Sequence, residues 1–256
     1  HSSIAALALE AGVSEPTVNR FCRSLETRGF PDFKLHLAQS LAHGTLYVNR
    51  NVDEDDSVES YTGKIFESAM ASLDQVHHSL DMSAVNRAVD LLTQAKKIAF
   101  FGLGSSAAVA HDAMNKFFRF NVPVIYSDDI VLQRMSCMNC DDDDVVVIIS
   151  HTGRTKSLVE LAQLARENDA MVIALTSAGT PLAREATLAI TLDVPEDTDI
   201  YMPMVSRLAQ LTVIDVLATG FTLRRGAKFR DNLKRVKEAL KESRFDKEPF
   251  VPSDNQ

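Results

Sequence analysis

The sequence predicts an α/β protein: a small all-helical N-terminal module followed by a doubly wound domain on a five-stranded parallel sheet. Three observations carry that prediction. Over residues 1–50 apolar residues recur at i, i+3, i+4 and i+7, and no β-rich run interrupts them. Beyond residue 96 the rhythm changes to short β-rich runs, at Lys97–Phe101, Val122–Tyr126, Val145–Ser150, Met171–Thr176 and Leu188–Val194, with helix-length stretches between them. The centres of these runs are continuously apolar, as in Val145-Val146-Val147-Ile148-Ile149, the pattern of strands covered on both faces.

Each helix has local start and stop signals. Ser3 is placed to cap a helix from Ile4, whose apolar face is Ile4, Leu7, Ala8 and Ala11. Gly12 can end it in the left-handed conformation. Ser14 caps a second helix with Glu15 and Pro16 in its first turn and Val18, Phe21, Cys22 and Leu25 on its apolar face. Gly29 stops that helix, and Asp32 is expected to cap a third carrying Phe33, Leu37 and Leu41. Asn49 to Ser57 is acidic and reads as a linker. Helices follow from Val58 to about Leu80 and from Ser83 to Ala95. After the last strand, one long helix runs from Pro203 to Phe221, and a separate amphipathic helix carries Phe229, Leu233, Val236 and Leu240. The tail from Asp246 to Gln256 is expected to be disordered.

Composition narrows the function. The chain has 256 residues, 45% of them apolar, with a net charge of −8. That charge argues against a general nucleic-acid coat but is compatible with a small DNA-reading module on an acidic body. No apolar run approaches the ~20 residues of a membrane-spanning helix, and no signal peptide is visible. Three cysteines suggest no disulfide framework, so a reducing cytoplasm is expected. The chain opens at His1 within a helical pattern, so the first module is expected to lack its opening helix.

The first two helices have the signature of a helix-turn-helix. Ala8 is small where the helices touch, Gly12 lies in the turn, and Val18 is apolar inside the second helix. The second helix then lies in the major groove. Opposite its apolar face stand Arg20 and Arg23, with Thr17 and Asn19 beside them and Ser14 at the cap. An arginine fork suits guanine edges and phosphates.

Two glycine turns follow strand ends. The first strand runs into Gly102-Leu103-Gly104-Ser105-Ser106, and the third into Ser150-His151-Thr152-Gly153-Arg154-Thr155. Glycine lets backbone N–H groups approach an anion, and a helix start favours phosphate. Neither turn is a dinucleotide fingerprint, since Ala107 stands at the third glycine position, or a Walker loop. A third turn, Thr176-Ser177-Ala178-Gly179, follows the fourth strand.

The helix-turn-helix, followed by Arg28-Gly29-Phe30-Pro31-Asp32-Phe33-Lys34, resembles the N-terminal domain of the RpiR family of regulators. The paired turns resemble the sugar isomerase (SIS) domain that such regulators carry. The resemblance implies an organisation of residues 1–50 as DNA-binding domain, 51–81 as linker and connecting helix, 82–223 as SIS domain and 224–256 as C-terminal helix and tail. It implies that Arg20 and Arg23 read operator DNA, that Ser150, Thr152 and Thr155 hold a phosphate, and that Ser105 and Ser106 contact the rest of the sugar acid. Gly104, His151, Gly153 and Arg154 complete the expected effector site. His151 and Arg154 stand where the isomerases often have Gln and Glu, a change that suits a ligand with a carboxylate as well as a phosphate.

Isomerisation needs a base beside the sugar carbons. The SIS isomerases supply a glutamate late in the domain, and Pro203 to Leu211 contains no carboxylate. Asp215 reads as structural, and His111 and His151 as packing or ligand contacts rather than bases. No catalytic residue, cofactor or metal is therefore expected. Cys137-Met138-Asn139-Cys140 lacks a second pair for zinc and reads as burial. Asp141 to Asp144 reads as a solvated turn. The expected function is a homodimeric or homotetrameric transcriptional regulator that binds operator DNA. Among RpiR regulators the resemblance is to hexose-metabolism repressors, which implies 2-keto-3-deoxy-6-phosphogluconate as effector. The alternatives are a phosphosugar isomerase with an appended helical domain and a sugar-phosphate-sensing adaptor.

Overall fold

The computed structural model describes residues 3–25, 27–34, 52–196 and 203–241. It divides into two compact units, His1–Ser68 with Asp197–Met202, and Ala69–Glu196 with Pro203–Gln256. Among the described residues no helix is long and apolar enough to cross a membrane.

The first unit holds α1 (Ile4–Glu10), α2 (Glu15–Ser24) and the start of α3, described at residues 30–34. Ser3 and Ser14 cap α1 and α2 through their hydroxyls, and Gly12 between them has φ 64°. Ala8, Val18 and Cys22 form a small core with Ile4, Leu7, Phe30 and Phe33 against it. The buried face is narrower than the sequence predicts: Ala11, Phe21 and Leu25 are exposed. Val18 and Cys22, one turn apart, occupy the strip that α1 covers. Asp32 does not cap α3. It sits inside the first turn, and its carboxylate reaches back to accept the Arg28 N–H at 2.7 Å. Leu37 and Leu41 lie outside the described residues.

The acidic run before α4 (Val58–Ser79) is folded rather than loose. Lys64 bonds both Asp53, at 3.0 Å, and Asp56, while the Asp56 carboxylate also accepts the Ser60 hydroxyl at 2.6 Å. The lysine, first, and the serine hydroxyl then hold the Asp56 carboxyl down at about 2. Val52 is buried beside this cluster of charges in sequence.

The second unit is a doubly wound sheet. After α5 (Met82–Gln94) come β1 (Lys97–Phe101), α6 (Ser105–Phe117), β2 (Val124–Ser127), α7 (Ile130–Met138), β3 (Asp144–Ile149), α8 (Lys156–Glu167), β4 (Met171–Thr176), α9 (Pro181–Glu185), β5 (Leu188–Thr191) and α10 (Val205–Ala239). A single 3₁₀ turn, Phe118–Phe120, follows α6. All five strands are parallel, in the order β2-β1-β3-β4-β5. Alternation along the strands sorts the core into two faces. Ile98, Phe100, Val145, Val147, Ile149, Ile173 and Leu175 pack with α5, α6 and α10. Ala99, Phe101, Val146, Ile148, Val172 and Ala174 pack with α7, α8 and α9. Continuous apolar runs are thus the sequence form of two covered faces.

Some boundaries differ from expectation. The second strand starts at Val124 and the fifth ends at Thr191, earlier than Val194. The two predicted C-terminal helices are both present, and the break between them falls at Gly226, where φ is 76° and ψ is −163°. Past that break Phe229 packs on Phe120 and Phe221, at ring distances of 5.7 and 5.8 Å. The side chain of Leu233 and the tail from Asp246 lie outside the described residues. The aspartate run is only partly solvated: Asp141 to Asp143 are exposed, but Asp144 opens β3 buried and pairs with Lys97. Cys137 is fully buried, and that burial pushes its thiol up to about 12.

Candidate functional site

On α2 the structure joins three of the residues expected to contact DNA. The Ser14 hydroxyl lies 2.9 Å from that of Thr17, and Arg20 Nη2 donates to Thr17 Oγ1 at 3.3 Å. Arg23 is exposed one turn further along. Asn19 is engaged elsewhere. Its Oδ1 accepts the Phe30 N–H at 3.0 Å, which fastens α2 to the start of α3. A Cβ on Gly29 would come within 2.8 Å of the same oxygen, so glycine is what lets the asparagine reach in. The motif Asn19…Gly29-Phe30 is therefore a structural clasp behind the exposed arginines.

In the second unit, the strand order brings the two predicted turns together. The turn after β1 and the turn after β3 extend from neighbouring strands, paired from Lys97↔Asp144 to Phe101↔Ile148. From β1 the chain next goes outward to β2, and from β3 it goes the other way to β4. This is the switch point at which open α/β sheets bind ligands, beyond the carboxyl ends of the strands. The two turns, expected from the sequence to serve one ligand, are adjacent because β1 and β3 pair directly.

Helix capping distinguishes the same two turns. Ser3, Ser14, Asp81, Asp129 and Thr180 cap α1, α2, α5, α7 and α9 with side-chain oxygens. Neither Gly104 before α6 nor Thr155 before α8 makes such a bond. A helix N-terminus without a side-chain acceptor leaves its positive end to solvent or an anion. Gly104 has φ 57° and ψ −128°, a conformation that other residues rarely adopt. Ser105 is half-buried and Ser106 buried behind it.

The β3 turn is braced from below. Ser150 is buried and its hydroxyl accepts the Gly153 N–H at 3.2 Å. Gly153 has φ 57°, and a Cβ there would lie 2.3 Å from Thr180 Oγ1 and 2.5 Å from Thr176 Oγ1. The third turn serves this one: the Ser177 N–H and hydroxyl both donate to the His151 carbonyl, at 3.0 and 2.8 Å. Thr152 Oγ1 accepts the Arg154 N–H at 3.4 Å, and Arg154 and Thr155 are exposed at the start of α8. The nine residues Gly104, Ser105, Ser106, Ser150, His151, Thr152, Gly153, Arg154 and Thr155 thus lie on two adjacent turns.

Two residues that sequence reasoning missed support these turns. Gln133 of α7 is fully buried, and its Nε2 donates to the Gly102 carbonyl at 3.2 Å and to that of Ser127 at 2.7 Å. Glu196 covers the N-terminus of α10. Its carboxylate accepts the N–H groups of Met204, Val205 and Ser206, at 2.6, 2.7 and 3.2 Å, and the Ser206 hydroxyl. His151 Nε2 lies 3.4 Å from the Glu196 carbonyl. A carboxylate is therefore present at Pro203–Leu211 after all, supplied by the preceding segment, but it is committed as a helix cap. No sequence signal marks Gln133. Asp215 is an exposed partner of Lys116 at 3.1 Å, and His111 lies against Tyr126 with ring centroids 4.9 Å apart.

Known proteins resemble both units. A helix-turn-helix domain of the rpiR family matches residues 1–44, and a SIS domain matches residues 91–220. The chain is 91% identical over 256 residues to the HTH-type transcriptional regulator HexR of Escherichia coli (strain K12), covering 100% of this chain and 89% of the relative. It is 58% identical over 243 residues to HexR of Pseudomonas aeruginosa, covering 95% and 85%. Among solved structures, the Vibrio vulnificus NanR protein complexed with ManNAc-6P is similar at a TM-score of 0.67 and 25% identity, over 95% of this chain and 87% of that one. On this similarity, together with the paired helix-turn-helix and switch-point turns, the chain belongs to the rpiR helix-turn-helix family as a HexR-type transcriptional regulator with a SIS domain.

Proposed function

We propose that a phosphorylated sugar acid, 2-keto-3-deoxy-6-phosphogluconate, binds at the turns after β1 and β3 and controls the affinity of α2 for operator DNA. The carrying observation is that α6 and α8 begin on neighbouring strands at the switch point without side-chain caps. The phosphate lies against Ser150, Thr152 and Thr155 at the α8 start, and the sugar-acid portion against Ser105 and Ser106. Arg154 and His151 add positive charge or donors for a second anionic group. NanR of Vibrio vulnificus, a similar protein, was solved with a sugar phosphate, ManNAc-6P, which supports this ligand class. Ser14, Thr17, Arg20 and Arg23 face the major groove, with Asn19 holding α2 in place. The protein acts in the cytoplasm as a homodimer or homotetramer on genes of central carbohydrate metabolism. It performs no turnover: Glu196, the carboxylate at the start of α10 among the described residues, has its oxygens occupied by four donors.

The test is a thermal-shift panel of phosphorylated sugars and sugar acids, followed by titration of operator DNA with and without the stabilising ligand. A true effector stabilises the fold by mass action. The phosphorylated acid is expected to raise Tm and to release operator, while its unphosphorylated form does neither. Steady isomerisation of any panel member followed by NMR, or stabilisation by none, overturns the proposal.

A further inference from the structure

We propose that Asp74, His77 and His78, near the C-terminus of α4, form a binding site for a divalent transition-metal ion of the zinc class. One ligand atom from each, a carboxylate oxygen and two imidazole nitrogens, lies within 4.8 Å of the other two. His78 Nδ1 is 3.4 Å from Asp74 Oδ1, and the two imidazole rings stand edge to face with centroids 5.2 Å apart. A tetrahedral ion with ligands at about 2.0–2.1 Å holds its donors roughly 3.3 Å apart. The remaining closure is a side-chain rotation, and all three side chains are exposed and free to make it. An ordinary i, i+4 ion pair involves Asp74 and His78 alone; the third donor, His77, turns the pair into a chelate.

Helical spacing brings the donors together and the core fixes them. At about 100° per residue, Asp74, His77 and His78 fall within about 100° of one another, and the buried Ser72 and Val76 lie on the opposite side. Val76 belongs to the core, and Gln75 Nε2 donates to the Asp193 carbonyl at 3.0 Å. The three side chains therefore project from an anchored helix, which places donors more precisely than a loop does. His78 Nδ1 also lies 2.8 Å from the Asp74 carbonyl, and contact with a backbone carbonyl is a usual means of orienting a ligating imidazole.

Charge and donor chemistry select the ion. From Ile65 to Asn86 the chain has no lysine or arginine, while Glu67, Asp74 and Asp81 are present. α4 ends at Ser79, so its last carbonyls present the negative end of the helix to the same turn. Two nitrogens and one oxygen suit zinc, nickel, cobalt or copper, whereas magnesium and calcium take oxygen ligands. Water completes the coordination. The other such group among the described residues, Asp141 to Asp143, offers only oxygens, and Asp143 is already paired with Lys96. A bound ion ties Asp74 to the turn that follows it and stabilises the folded state by mass action. The site does not rest on the regulator reading above.

The full chain, free of DNA and sugar phosphate, provides the test. Zinc chloride is titrated in competition with a chromophoric chelator. The wild type is expected to bind one zinc equivalent more than the double variant His77→Ala, His78→Ala, a difference that discounts zinc held by other histidines or by cysteines. Asp74→Asn is expected to bind that equivalent about tenfold or more weakly. Without metal the variants are expected to melt like the wild type, because the three side chains are exposed. In a second arm, NMR follows the imidazole signals of the wild type, assigned with His77→Gln and His78→Gln; both are expected to shift as zinc is added and to stay shifted in excess magnesium. That arm decides alone if the double variant does not fold. Equal zinc stoichiometry in the wild type and a folded double variant, unchanged affinity in Asp74→Asn, imidazole signals that do not move, or displacement of the zinc by magnesium overturns the proposal.

Discussion

Glu196 and Ser206 stand ten residues apart, and the Glu196 carboxylate accepts both the N–H and the hydroxyl of Ser206 where α10 begins. Burial raises the pKa of this carboxyl. The Ser206 hydroxyl and the N–H groups of Met204, Val205 and Ser206 outweigh that effect, so the net shift is downward from 4.5. A lowered folded pKa means that the stabilisation is complete above the ordinary glutamate value and is lost as pH falls through the folded one. Glu196→Gln is expected to lower stability by about 1–2 kcal/mol at neutral pH. The gap to the wild type should close as pH falls through the lowered pKa of the folded state. Urea denaturation at stepped pH measures both. A gap that persists undiminished under acid conditions contradicts the charged cap.

Gly153→Ala tests the brace under the β3 turn. The substitution forces a Cβ to within 2.3 Å of Thr180 Oγ1 and leaves an L residue at φ 57°. The left-handed conformation alone costs roughly 1–2 kcal/mol. Lower Tm and loss of ligand-induced stabilisation are expected together. A variant that melts and binds like the wild type would show that the turn relaxes freely.

Asn19 and the two arginines should separate stability from DNA reading. Arg20→Ala and Arg23→Ala are expected to weaken operator binding by roughly 1–3 kcal/mol each with Tm unchanged. Asn19→Ala removes the acceptor of the part-buried Phe30 N–H and is expected to lower the stability of the helical module by about 1–2 kcal/mol. Chemical denaturation and operator titration of the three variants give the comparison. Full operator affinity in both arginine variants would remove this face of α2 as the reader.

Ser106→Ala and Ser150→Ala should leave operator binding intact and reduce release by the effector. Loss of a hydrogen bond to a charged group costs about 1.5–3 kcal/mol, roughly tenfold to a hundredfold in affinity. Coupling is reciprocal, so operator should weaken effector binding to the unaltered protein by the same factor. Effector titrations into free protein and into the operator complex measure it. Equal affinities in the two would refute the coupling.

Much of this architecture is local and was legible in the residues themselves. Caps at Ser3 and Ser14, the left-handed Gly12, the helix-turn-helix contact of Ala8 with Val18 and the apolar strand runs depend on neighbours within a few positions. So do the two glycine turns, since a strand end followed by glycine and hydroxyl residues is a short-range pattern. What only the tertiary structure decided is non-local. The order β2-β1-β3-β4-β5 makes the two turns adjacent, and strand order is set by hydrogen bonds between distant segments that leave no mark in a single run. Asn19 was grouped with the expected reading residues because it stands next to the exposed Arg20 in the chain. Its partner, the Phe30 N–H, lies eleven residues away across a glycine that leaves it room. Glu196 escaped notice because helix capping by a residue ahead of an intervening segment follows no fixed spacing, and Gln133 because a buried amide declares itself only through the carbonyls it meets in the folded chain. The break at Gly226 falls between the two helices expected from the sequence, but its position is set by one residue's backbone angle, which amphipathic spacing on either side does not locate.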